Sequence, residues 1–123
     1  MKLFLIFGAV HALLAVALGA FGAHGLEGKL SEKYIKIWEK AVTYQMFHAV
    51  GLFVTAFLLS KFPQVGMIST AGWLFFIGIL LFSGSLYILS VTQIGVLGAI
   101  TPLGGVAFLA GWALIAIAAI KHL

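Results

Sequence analysis

Apolar positions run along this chain in four long blocks, separated by short polar breaks, at about residues 3–23, 41–62, 67–92 and 95–120. A helix of about 20 apolar residues crosses the roughly 30 Å hydrocarbon core of a bilayer, and each block reaches that length. Backbone polar groups in lipid must be satisfied within the segment, so the blocks are read as α-helices. Pro63 ends the second block, because it turns the preceding residue away from helix. The connections at 63–66 and 93–95 fit only tight antiparallel hairpins.

Residues 26–40 follow another pattern. Leu26, Leu30, Tyr34, Ile37 and Trp38 recur at three- to four-residue spacing, and charged residues take most of the rest. This predicts an amphipathic helix at about 31–40, lying at the membrane surface with Tyr34 and Trp38 at headgroup level. Ser31 is its expected N-cap, and Glu32 stands four residues ahead of Lys36 in the favourable order. The fold class expected is all-α: one domain over residues 1–123, an integral membrane bundle of four transmembrane helices with an interfacial amphipathic helix between the first and second. The first block also resembles a secretory signal peptide, with Lys2 ahead of it and Ala20 and Gly22 near its end. A retained helix is the preferred reading, since three further spans follow it.

Composition agrees with lipid as the solvent. Hydrophobic residues make up 63% of the chain and charged residues 8%, against about 25% charged in soluble domains. A soluble fold of this size has no core large enough for that much apolar surface. Cysteine is absent, which removes disulfides, thiolate metal sites and thiol nucleophiles. Arg and Asp are absent too, so the acids are Glu27, Glu32 and Glu39, and no bidentate Arg fork is available for phosphate. The net charge of +4 reads as Lys at membrane edges facing anionic headgroups, and no nucleic-acid partner is expected. Four spans put Lys2, Lys61 and Lys121 on one side and Lys29, Lys33, Lys36 and Lys40 on the other, a near balance that leaves orientation open.

The chain has 15 glycines, which in lipid let helix backbones approach closely. Gly8, Ala12, Ala15, Gly19 and Ala23 make one small-residue face on the first span, and Gly98, Gly104, Gly105 and Gly111 mark the fourth. These read as helix-contact surfaces, open to use in self-association or in binding a membrane-protein partner. Pro102 lies inside the fourth block, where it is expected to kink the helix. The functional counterpart is a local break at Gly104-Gly105 that exposes backbone to an ion or substrate.

Polar residues inside the spans are the candidates for chemistry. They are His11, then Tyr44, Gln45 and His48 on one helix face with Gly51 and Thr55, then Ser83 and Tyr87 with Ser90, and finally Thr101 beside Pro102. Lipid would leave these groups unpaired, so they are expected to point into the bundle. There they bond one another and fix register, or they mark a proton or ion path. Haem ligation by His11 and His48 is the weakest reading, because helical rise sets them roughly 7 Å apart along the normal. No metal-ligand spacing is present, no Ser-His-Asp set is possible, and no cofactor is expected. A second candidate group lies at the interface: His24, Lys33, Lys36, Glu39 and Lys40, with a His24–Glu39 pair as one way to tie the amphipathic helix to the first span.

Several strings carry a family resemblance. They are Gly19-Ala20-Phe21-Gly22-Ala23-His24-Gly25-Leu26, Trp38-Glu39-Lys40-Ala41 with Tyr44-Gln45-Met46-Phe47-His48, Phe82-Ser83-Gly84-Ser85-Leu86-Tyr87, Gly98-Ala99-Ile100-Thr101-Pro102-Leu103-Gly104-Gly105, and Gly111-Trp112. Over essentially its whole length the chain resembles the YwdK/YgdD family of small bacterial membrane proteins, a family of unknown function with animal mitochondrial relatives. The resemblance, strongest to Gram-positive members, implies a multi-pass protein of the bacterial plasma membrane. It implies no activity and no catalytic residue. Three functions follow in order of preference: a non-enzymatic protein that binds membrane lipid or a membrane partner, an oligomeric channel or transporter for a proton, small cation or small metabolite, and a haem-binding subunit.

Overall fold

A computed structural model describes all 123 residues. It is all helix: α1 (Lys2–His24), α2 (Glu32–Lys61), α3 (Gly66–Thr92) and α4 (Thr101–His122), with a 3₁₀ segment at Gly95–Ala99 leading into α4. All four spans are long and apolar enough to cross a membrane, the fourth counted from Gly95. Helices α2 and α3 form the central antiparallel pair. Helix α1 packs along α2 and also reaches α3 through side chains, and α4 packs on α3.

Glycine sets these contacts. A Cβ on Gly8 would meet the Phe53 ring and the Ala49 carbonyl, and one on Gly22 would meet the Trp38 indole, so α1 presses its small-residue face onto α2. A Cβ on Gly104 would meet the Phe82 backbone, and one on Gly111 the Phe75 ring. Gly8 and Gly19 of the α1 face and Gly104 and Gly111 of the α4 face therefore meet neighbouring helices inside the protein, while Gly105 stands open. Phe75, Leu52, Ile68 and Ile79 fill the centre and are almost fully buried. Phe4, Phe7, Trp73 and Phe76 form an aromatic cluster between α1 and α3. Outward-facing Leu13, Val16, Phe57, Val106 and Leu109 present the apolar surface that lipid solvates.

Three local expectations change. The amphipathic stretch is not a separate interfacial helix: it is the start of α2, which runs unbroken from Glu32 to Lys61. No breaker lies between the two pieces, and continuing the helix satisfies backbone groups that a bend would orphan. Ser31 does occupy the N-cap, but its side chain makes no capping bond. Pro102 does not kink α4. It sits in the first turn, where its missing N–H is not needed, and the helix through Gly104 and Gly105 is continuous.

Candidate functional site

The polar residues of the spans gather into two separate networks rather than one site. The first joins α1, α2 and α3 through Gln45. The Tyr87 hydroxyl donates to Gln45 Oε1 at 2.7 Å, and Gln45 Nε2 lies 3.1 Å from His11 Nδ1. With Oε1 accepting from Tyr87, the Gln45 amide N–H donates, so His11 Nδ1 accepts and its proton sits on Nε2. One turn away, Ser83 Oγ donates to the Ala41 carbonyl across the α2–α3 contact at 2.7 Å. A recess of about 200 Å³ runs beside His11, Gln45, Ser83 and Tyr87.

The second network joins α2 and α4. His48 Nδ1 lies 2.9 Å from the Tyr44 carbonyl, which can only accept, so Nδ1 carries the proton. Nε2 is then free to accept, and Trp112 Nε1 donates to it at 3.0 Å. Phe108 stacks on the imidazole with centroids 3.5 Å apart and planes at 8°. Both ring nitrogens of His48 are thus engaged in its neutral form. A ligand bond to either would have to break one of these contacts.

Most of the expected inward residues are buried: His11, Gln45, His48, Thr55, Ser83 and Ser90. Tyr44 is not. It is 40% exposed and stands at the rim of a cleft between α2 and α4. Thr101 pairs with Ser85 across the α3–α4 contact at 2.6 Å and joins neither network. At the membrane edge the His24–Glu39 pair is absent. The one ion pair is Lys36–Glu32 at 3.3 Å, and His24, Lys33, Glu39 and Lys40 are exposed. Trp38 is not a headgroup anchor. It is buried, donates to the Leu18 carbonyl at 2.9 Å and meets the Tyr87 ring edge-on, so it ties α2 to α1.

Sequence reasoning missed Trp112, Phe108 and Ser85. Trp112 left a signal: Trp favours membrane interfaces, and one placed mid-span needs a partner for its N–H.

The cleft has a volume of about 470 Å³ and is lined by residues of α2, α3 and α4, among them Tyr44, Phe47, Phe82, Gly105, Leu109 and Trp112. It exists because α2 and α4 both pack on α3 and only side chains bridge the space between them. Its walls are apolar apart from Tyr44, His48 and Trp112, the usual lining of a small-molecule site.

Comparison with known proteins places this architecture. A family model described as "Protein of unknown function (DUF423)" matches residues 18–105. The UPF0382 membrane protein YwdK of Bacillus subtilis is 65% identical over 123 residues, covering 100% of both chains. UPF0382 membrane proteins of Staphylococcus epidermidis and Staphylococcus haemolyticus are 58% and 54% identical, each covering 98% of both chains. No solved structure matches. The chain belongs to the DUF423 family of small multi-pass membrane proteins, whose function is unknown.

Proposed function

We propose that this chain is a non-enzymatic plasma-membrane protein that binds lipid on its α2–α4 side. The observation that carries the reading is the cleft, an apolar recess of about 470 Å³ on the lipid-facing surface. Lipid is the molecule present there at the highest concentration. The non-enzymatic part is supported by the chemistry of the polar residues. His11 and His48 are partnered by an amide, a backbone carbonyl and an indole, and no cluster of His and carboxylates converges. A proton or ion path has less support, because the two networks do not join.

The test is extraction in a mild detergent, followed by quantitation of lipid retained per chain and of thermal stability after exhaustive delipidation. Retained lipid near one per chain, with stability lost on its removal, is the expected result. A chain that sheds all lipid and melts unchanged would refute the reading.

A further inference from the structure

On α2 the residues Lys33, Lys36, Lys40, Tyr44 and Phe47 are spaced three, four, four and three apart, so they share one helix face. Tyr44 and Phe47 line the cleft, and the three lysines stand directly above it, toward the polar end of the helix. Lys36 pairs with Glu32, while Lys33 and Lys40 have no carboxylate partner. The Tyr44 carbonyl binds His48, and its hydroxyl is engaged by no group of the chain. One stripe therefore runs from exposed lysines, of which Lys33 lies over the Tyr34 ring, through a free hydroxyl, into an apolar cleft.

The depth of the cleft matches one leaflet. From Pro102 to Trp112, both in its lining, helix α4 rises roughly 15 Å, which is half of the roughly 30 Å hydrocarbon core. We infer that the cleft holds one acyl chain of an anionic phospholipid. Its phosphate lies against Lys33, Lys36 and Lys40, and Tyr44 donates to the phosphate or the ester below it. This rests on the lipid-binding reading above and adds to it the class of headgroup and the place of each part. The occupant is a lipid rather than a second copy because the stripe is cationic down to Tyr44. A second copy would bring the same lysines to the interface.

Gly105 supplies a clean test of the cleft. It lines the cleft wall, and a Cβ there would meet only the Phe82 ring, at 4.0 Å, so a larger side chain enters the cleft without disturbing the helix contacts. Full-length protein is placed in nanodiscs of equimolar phosphatidylglycerol and phosphatidylcholine, then released and weighed by native mass spectrometry. The wild type is expected to retain one lipid, with phosphatidylglycerol favoured by about tenfold, a bias that a cluster of lysines at an anionic surface readily supplies. Replacing Lys33, Lys36 and Lys40 together by Gln should keep a lipid bound but bring the ratio near one. Gly105→Leu should lose the lipid altogether, with helical content by circular dichroism confirming that it folds.

Retention without headgroup bias would overturn the anionic assignment and leave lipid binding standing. Full, biased retention by Gly105→Leu would overturn the place of the acyl chain. A lipid-free dimer would overturn both this inference and the reading beneath it.

Discussion

Trp112 on α4 donates its indole N–H to Nε2 of His48 on α2, across 3.0 Å. Because Nδ1 of the same ring is committed to the Tyr44 carbonyl, His48 is held as the Nδ1-protonated neutral tautomer. An N–H and an imidazole lone pair that would each be costly alone in lipid satisfy one another. The pair, with Phe108 stacked on the same imidazole, bridges α2 and α4 directly through side chains.

The tautomer is directly observable. Nitrogen-15 spectra of histidine-labelled protein in micelles should show a His48 ring protonated at Nδ1 and unprotonated at Nε2. In Trp112→Phe the Nε2 resonance should move downfield, as it loses its donor. A ring protonated at Nε2 in the wild type would contradict the arrangement.

Gln45 is the hub of the other network, with one bond to α1 and one to α3. Interhelical hydrogen bonds in membranes average about 0.6 kcal/mol and reach about 1.7 kcal/mol. Gln45→Leu breaks both, so a destabilisation of about 1–2 kcal/mol is expected. Tyr87→Phe breaks one and should cost about half as much. Unfolding in graded SDS, followed by circular dichroism, measures both, and equal stability of Gln45→Leu and wild type would show that the network contributes nothing.

Adjacent glycines should behave oppositely. A Cβ on Gly104 falls on the Phe82 backbone, which cannot step aside, whereas one on Gly105 reaches ordinary contact distance. Gly104→Ala should cost about 1–3 kcal/mol by overpacking. Gly105→Ala should stay within about 0.5 kcal/mol of the wild type, as substitutions away from such contacts do. If the same SDS titration finds the two variants alike, α3 and α4 do not meet at Gly104.

Gln93 caps α3 with φ at 60°, in the left-handed region, its N–H bonded to the Leu89 carbonyl at 2.7 Å. That conformation strains a side chain and suits glycine. Gln93→Gly should therefore raise stability by about 0.5–1 kcal/mol, seen as a higher melting temperature in detergent. A lowered melting temperature would point to a role for the Gln93 side chain beyond the turn.

The four spans, the short turn at Pro63 and the Lys-bearing ends were legible in the sequence, because lipid sets helix length and tolerates few polar residues. The tight hairpin expected at 93–95 is instead a longer link that runs through the 3₁₀ segment at Gly95–Ala99. The Glu32–Lys36 pair was legible as well, since it depends only on helical spacing within one element. What the sequence could not decide was the partner of each polar group and the rotation of the most apolar helices, α1 and α4. Apart from Tyr44, the polar stripes of α2 and α3 turned inward as expected, but α1 and α4 are apolar nearly all round, so the pattern that orients a soluble helix is weak there. Orientation comes instead from close approaches such as Gly22 to Trp38 and Gly104 to Phe82. Those contacts turned Gln45 toward both His11 and Tyr87, placed Trp112 on His48, and swung Tyr44 out to the cleft. Hydrophobic length determined that this chain spans the bilayer four times. Only the packing of small residues against large ones, which exists once the helices have met, decided which polar groups close on each other and which face the lipid.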